Sequence, residues 1–268
     1  MQHGFAKTSA GQIHYAKHGA AGAMPLILLH SNGGSWRQFA QTLGGFARHF
    51  EVFAVDLPGQ GDSFPLPDHL PIERYGDLIV ELMDSLGLRR AAVLGCSVGG
   101  SVAIDLAARH PERFDRLVIV ETPARTDEAW ASRWGPMEAL FGVVSQPFEA
   151  AARRVVGLTP EAYLAWDIDR HKAGAKTMVS VMWAMRQFDV FSALDRLQAP
   201  TLVLFGESTP IADSRAVYAQ RLPDAPVATL PACGHFPMIE NPSALVEAVL
   251  DWSCNLGQGE VHALAERR

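Results

Sequence analysis

The stretch from Ala91 to Arg109 constrains this chain more than any other. Ala91-Ala92-Val93-Leu94 is an apolar run of strand length, Gly95-Cys96-Ser97-Val98-Gly99 follows it, and Val98 to Arg109 carries apolar Val102, Ile104, Leu106 and Ala107 in a helical pattern. A strand that turns into a helix at one residue forces strained dihedrals on that residue. Side chains two positions to either side would collide there, which accounts for glycine at 95 and 99. A bare Gly-x-Ser-x-Gly recurs by chance, but the strand before it and the helix after it give the pattern meaning. In that context Ser97, on a tight turn between strand and helix, is a candidate nucleophile.

The rest of the chain repeats the strand-then-helix alternation. Strand-like runs occur at Gln12-Ala16, Leu26-His30, Glu51-Asp56, Ala91-Cys96, Leu117-Glu121, Thr201-Gly206 and Val227-Leu230. Helical patterns fall at Trp36-Leu43, Ile72-Leu86, Val98-Arg109, Ser214-Arg221 and Ser243-Trp252, with Gly44, Gly87, Pro111 and Pro223 marking ends. This order predicts an α/β fold with a mostly parallel central sheet flanked by helices. Between Glu121 and Pro200 the alternation stops, and aromatic, Met-rich helical patterns take over at Trp130-Val144, Pro160-Ile168 and Lys176-Phe188. The expected organisation is therefore a core of residues 1–122 and 196–268 with an inserted helical cap, residues 123–195. The tail after Asn255 is left open between a short helix, an oligomer contact such as a homodimer interface, and a disordered end.

Composition excludes several classes. At 48% apolar and 19% charged residues the chain is globular, and its net charge of −6 comes without a basic run, which argues against nucleic acid and anionic membranes as partners. Met1-Gln2-His3-Gly4 does not begin a secretion signal, and no apolar run reaches membrane-spanning length, so a cytoplasmic protein is expected. Cys96, Cys233 and Cys254 lack metal-site spacing and read as reduced thiols; no metal and no cofactor is expected.

A serine hydroxyl is protonated at neutral pH and needs an adjacent base. His235, in Cys233-Gly234-His235-Phe236-Pro237, lies after the last strand and before the last helix, where a loop can return it to the carboxyl edge of the sheet. His30 ends a strand beside a glycine-rich turn and reads as a structural hydrogen bonder. His49, His110 and His171 read as helix-end or surface residues.

The histidine in turn needs a carboxylate, in the chain order Ser, Asp/Glu, His. Members of this kind of fold usually place an aspartate three residues after the glycine that ends the Thr201-Phe205 strand, but Thr209 stands there. Glu121, Glu207 and Asp213 are the alternatives. Glu121 is favoured, because it ends the apolar run Leu117-Val120 just before Thr122-Pro123 and so stands beside the strand that carries Ser97. For the developing oxyanion, the backbone amides of Val98, at a helix N-terminus, and Asn32, in Ser31-Asn32-Gly33-Gly34, are the expected donors. Asp56, within Asp56-Leu57-Pro58-Gly59-Gln60-Gly61, precedes Ser97 and reads as a turn former, and Cys96 should project into the core.

Together, the His30-Gly34 turn, Asp56-Gly61, the turn at Ser97 and Gly234-His235-Phe236-Pro237 resemble the α/β-hydrolase superfamily over nearly the whole chain. Within it, Gly95-Cys96-Ser97, Glu121 followed by Pro123, the aspartate-free Gly206-Glu207-Ser208-Thr209-Pro210 and His235-Phe236-Pro237 resemble the zearalenone lactone hydrolases. That resemblance implies a triad glutamate at Glu121 and a substrate-facing Trp183; the His30-Ser31-Asn32 turn and the rest of the cap differ from that family. The expected activity is cofactor-free cleavage of a small, apolar carboxylic ester or lactone through Ser97, His235 and Glu121. A C-C bond hydrolase of ring-fission diketones and a slowly turning-over ligand receptor of the same fold are the alternatives.

Overall fold

A computed structural model describes residues 1–265, with side-chain burial through Leu256. The apolar runs join in one sheet of β1 (Gln2–Lys7), β2 (Gln12–His18), β3 (Met24–Leu29), β4 (Phe50–Val55), β5 (Ala91–Cys96), β6 (Phe114–Val120), β7 (Thr201–Gly206) and β8 (Val227–Leu230). Their spatial order is β1-β2-β4-β3-β5-β6-β7-β8. The β1-β2 and β2-β4 pairs are antiparallel, and every pairing from β4-β3 to β7-β8 is parallel. Strands β4, β5 and β7 are buried at every residue, as parallel strands covered on both faces must be.

Alternate residues of each strand feed two cores. On one face Val93, Leu117, Leu29 and Phe53 meet α2 (Ile72–Ser85) and α3 (Val98–Arg109). On the other, Leu94, Val118, Leu28 and Val52 meet α1 (Leu43–Phe46) and a C-terminal helix that runs Pro242–Ala265. Between β6 and β7 the chain inserts α4 (Asp127–Phe141), α5 (Phe148–Ala152), α6 (Pro160–Gln187) and α7 (Val190–Leu194); α8 (Asp213–Arg221), α9 (Pro237–Glu240) and α10 (Pro242–Ala265) complete the fold. Helix α6 breaks at Gly174, whose φ of 72° and ψ of 156° no helix accommodates, so its halves correspond to the two helical patterns read there from the sequence. Among the described residues no helix is long and apolar enough to cross a membrane.

The structure adds the short helices α5, α7 and α9 to the sequence reading and departs from it at β1, at Trp36-Leu43 and at the C-terminal helix. Strand β1 lies at the sheet edge and buries only Ala6, with Phe5 55% exposed, so Gln2-His3-Gly4-Phe5-Ala6-Lys7 carries no core-facing alternation to read. The expected helix Trp36-Leu43 is a 3-10 turn, Trp36–Phe39, followed by the separate α1. Thr42 Oγ1 donates to Phe39 O at 2.9 Å and closes the first piece, and within α1 Gly45 lets Val246 of α10 pack where a side chain would stand. Helix α10 continues past Asn255 to Ala265, longer than the pattern Ser243-Trp252 announces; residues 266–268 lie outside the described part of the chain.

The glycines around Ser97 are required by contact; the left-handed dihedral is that of Ser97 itself. A Cβ on Gly95 would overlap the Gly99 carbonyl, and one on Gly99 would overlap the carbonyls of Leu29 and His30. Gly99→Ala is therefore expected to destabilise the protein by about 1–3 kcal/mol through overpacking, against alanine's higher helix propensity. Gly44→Ala, with nothing within 4 Å, is expected to be neutral or to stabilise by about 0.4–1 kcal/mol. Urea unfolding of both variants checks the contrast.

Candidate active site

Three non-glycine residues of the described chain have positive φ: Ser97 (55°), Glu121 (45°) and Ala232 (53°). Each stands just beyond the carboxyl end of a strand, β5, β6 and β8 respectively. Backbone strain of this kind persists only where its surroundings enforce it, and here all three instances mark one edge of the sheet.

Ser97 is pinned from below by its own N–H, which donates to Val120 O of the neighbouring strand at 3.0 Å. It occupies the N-cap of α3, yet its φ of 55° and ψ of −115° leave its hydroxyl out of any capping bond. The side chain is thus held at the site without being spent on the helix. The neighbouring Cys96 is buried in the core below, and its Sγ donates to His235 O at 3.7 Å. Burial pushes the Cys96 thiol well above its ordinary range, with Glu121 and Glu240 adding to the effect, so it has no thiolate to offer.

Glu121 is completely buried. Its N–H donates to Leu204 O at 3.0 Å, and its carboxylate collects three donors: Gly206 N–H at 2.6 Å on Oε1, and Thr209 Oγ1 at 2.8 Å with His235 Nδ1 at 3.0 Å on Oε2. Thr209 thus holds the position where this kind of fold usually places an aspartate, and donates to the glutamate from the loop after β7. The other two candidate acids sit elsewhere. Glu207 accepts from Ala232 N–H at 3.1 Å, and Asp213 pairs with Arg125 at 3.2 Å and Arg133 at 3.1 Å.

The loop that presents His235 is held by a residue the sequence reading missed. Glu240 of α9 accepts from Gly234 N–H at 2.6 Å and Phe236 N–H at 3.0 Å on Oε2, and from Val156 N–H at 2.8 Å on Oε1. Burial raises its carboxyl above the usual range, against the pull of those three N–H donors. A glutamate four residues after Phe236 gives little sequence signal, because its partners belong to the loop before it and to the inserted segment.

On the opposite side, the His30-Gly34 turn is fixed by side chains. His30 Nδ1–H donates to Ser31 O at 2.8 Å and its Nε2 accepts from Leu57 N–H at 2.9 Å; burial lowers its proton affinity, consistent with a neutral, structural imidazole. Gln38 Oε1 accepts from Ser31 N–H at 2.9 Å and Gln60 Oε1 from Gly33 N–H at 2.6 Å, roles that the sequence reading did not assign. The amide groups of Asn32 and Val98 make no hydrogen bond among those of the described residues; the Asn32 side chain donates to Met178 O of α6 at 2.8 Å. Trp183 is not brought to this edge. It packs against Trp134 with ring centroids 4.1 Å apart and planes tilted by 49°, and lines outer clefts with residues such as Arg186, Gln187 and His69, clefts that include none of Ser97, Glu121 and His235.

Asp56 is a turn former, as read from the sequence: it accepts from Trp36 N–H at 2.6 Å, Asp62 N–H at 2.8 Å and His14 Nδ1 at 2.8 Å. His14, Asp56 and Asp62 are the one group among the described residues spaced to hold a metal ion. His14 Nδ1 bonds to Asp56 Oδ2 at 2.8 Å, and Asp62 pairs with Lys172 Nζ at 2.5 Å.

Residues 26–248 match the alpha/beta hydrolase family, and the chain belongs to it. It is 30% identical over 260 residues to a proposed carbamate hydrolase, RutD, of a Caulobacter species, covering 91% of this chain and 96% of that protein. It is 27% identical over 247 residues to 3-oxoadipate enol-lactonase 2 of Acinetobacter baylyi, covering 88% of this chain and 91% of the relative. Among solved structures, a hydrolase from Pseudomonas aeruginosa superposes with a TM-score of 0.79 at 28% identity, over 93% of this chain and 97% of that one.

The bonding of Glu240 leads to a stability prediction. Glu240→Gln presents an amide NH2 to N–H donors and is expected to cost about 1–3 kcal/mol, since buried donors lose their acceptor. Glu207→Gln, which touches a single loop amide, should cost less than about 1 kcal/mol. Chemical denaturation of the two variants side by side distinguishes them.

Proposed function

We propose that this protein is a serine hydrolase that cleaves a carboxylic ester or lactone through Ser97, His235 and Glu121. The observation that carries the reading is the buried Glu121 carboxylate on His235 Nδ1, at the same sheet edge as a strained, uncapped Ser97. With Nδ1–H donated to Glu121, the lone pair of His235 is left on Nε2, the nitrogen able to act as a base. His235 takes the Ser97 proton as Oγ attacks the carbonyl, and Glu121 stabilises the imidazolium that results. The amides of Asn32 and Val98 receive the oxyanion. His235 then returns the proton to the leaving alcohol and activates water to release the acyl group.

An enol-lactonase and a proposed carbamate hydrolase among the relatives support acyl transfer to water as the reaction. The helices of residues 123–195 act in this reading as a cap, because Asn32 on the oxyanion side and Glu240 behind His235 both bond to it. Zearalenone and related resorcylic lactones are the finer substrate reading, resting on the glutamate triad and the aspartate-free 206–210 segment. The unpaired Cys96, Cys233 and Cys254 suit a reducing cytoplasm.

Hydrolysis of p-nitrophenyl butyrate tests the reading. Ser97→Ala is expected to lower kcat by about 10⁴-fold or more, and Glu121→Gln by about 10²–10⁴-fold. Near-full activity in Glu121→Gln overturns the assigned acid, and turnover independent of Ser97 overturns the mechanism. A panel of resorcylic lactones, aryl esters and ring-fission diketones then separates lactonase, esterase and C-C hydrolase.

A further inference from the structure

Arg170, on α6, is among the largest fully buried side chains, 1% exposed. Its Nε donates to Val144 O at 3.0 Å, and its Nη2 to Val143 O at 2.5 Å and Leu140 O at 3.2 Å. The rings of Trp166 and Phe141 lie 4.8 and 6.0 Å from its guanidinium carbon. What it lacks is an anion. Arg125 and Arg133 reach Asp213 and Arg186 reaches Asp127, whereas Arg170 has no carboxylate within ion-pair distance among the described residues. Asp167 attracts it only at longer range, and Arg154, bonded to Gln146 Oε1 at 3.2 Å, repels it. Burial pulls Arg170 down to about 10, which still leaves it charged at neutral pH. A buried cation is ordinarily paired, because the desolvation it suffers is otherwise uncompensated.

Nη1 makes no hydrogen bond among the described residues, and the Arg170 side chain lies against the proposed oxyanion turn: a Cβ built on Gly33 would lie 3.6 Å from Nη1, 3.4 Å from Arg170 Cγ and 2.8 Å from Met178 Sδ. The same glycine has two further unmatched neighbours. Gln60 accepts from Gly33 N–H through Oε1 and leaves Nε2 buried without a partner, while Asn32 donates to Met178 O and leaves Oδ1 buried without one. Buried polar atoms without partners are uncommon in native proteins and call for a reason. Two of the five such atoms among the described residues, Gln60 Nε2 and Asn32 Oδ1, belong to this turn, beside a cation without a carboxylate.

We propose that the substrate carries a carboxylate which docks on Arg170 Nη1 beside Gly33, with Gln60 Nε2 as a second donor; this rests on the reading of Ser97 as the nucleophile of an ester or lactone hydrolase. Two donors match the two oxygens of a carboxylate and are too few for a phosphate dianion. Asn32 Oδ1, an acceptor, keeps the anion to the Arg170 side of the turn. The substrate is then an apolar body with one negative charge, distinct from the wholly apolar ester or lactone expected from composition.

Matched esters test this. One set places the carboxylate on the acyl part, p-nitrophenyl hemiglutarate and hemiadipate against p-nitrophenyl pentanoate and hexanoate; the other places it on the leaving part, 4-carboxyphenyl butyrate against phenyl butyrate. Wild type is expected to prefer the charged member of one set by about tenfold or more in kcat/KM, the scale of one hydrogen bond to a charged group. Arg170→Gln should lose that ratio and Arg170→Lys retain part of it. Because Arg170 also ties down three carbonyls, the ratio and not the rate is the readout. Where Arg170→Gln does not fold, glutarate and adipate must raise the thermal midpoint of wild type and Ser97→Ala more than they raise that of Arg170→Lys. A ratio near one in wild type for both sets, a ratio unchanged in Arg170→Gln, or no stabilisation by either dicarboxylate overturns the inference. Ser97-dependent turnover without charge preference overturns it alone, whereas absence of Ser97-dependent turnover of the uncharged esters overturns the hydrolase reading as well.

Discussion

A buried carboxylate holds this site together. Glu121 has no access to solvent, and a charge so placed is tolerable only with donors arranged around it. The donors come from separate parts of the chain: Gly206 at the end of β7, Thr209 in the loop beyond it, and His235 after β8. Meeting them draws three strand ends to one point and accounts for the left-handed backbone at Glu121, which a regular continuation of β6 would not adopt. The neighbouring Ser97 hangs on the same arrangement, since its own N–H is bonded to Val120, the residue before Glu121.

The inserted helices are tied to this edge by polar bonds as much as by apolar packing. Asn32 bonds to Met178, Ser35 and Arg37 bond to Asp169, and Asp62 pairs with Lys172, all of the partners lying on α6. The aromatic residues that crowd this segment serve largely to build it. Trp130 and Trp166 are buried, Trp166 lies over Arg170, and Arg186 lies against the paired rings of Trp134 and Trp183. An aromatic, Met-rich composition therefore described the packing of these helices better than it described what faces Ser97. The polar exceptions, Arg170 and its neighbours at Gly33, were silent in the sequence because an arginine in a helix usually points to water.

Much of the fold was legible. The strands β2 to β8 and helices α2, α3 and α8 are carried by hydrophobic periodicity and punctuation that act within a dozen residues. Strand β1 was not, because an edge strand with one buried residue has no pattern to show. At the site, Ser97, His235 and the order of the chain narrowed the acid to three carboxylates. Nothing local separated Glu121 from Glu207 and Asp213 beyond its place at a strand end. Glu240, Gln38 and Gln60 were passed over, since each acts on backbone amides of a turn whose shape appears only in three dimensions.

By itself, then, the sequence determined strands β2 to β8, the parallel sense of most of them and the tight turn at Ser97, because strand and helix periods and the close approach of Gly95 to the Gly99 carbonyl are short-range facts. Tertiary structure decided which carboxylate meets the histidine and which cation is left without one. Those outcomes depend on distances between residues such as 121 and 235, or 170 and 33, that are separated by more than a hundred positions and fixed only when the sheet and its inserted helices close on each other.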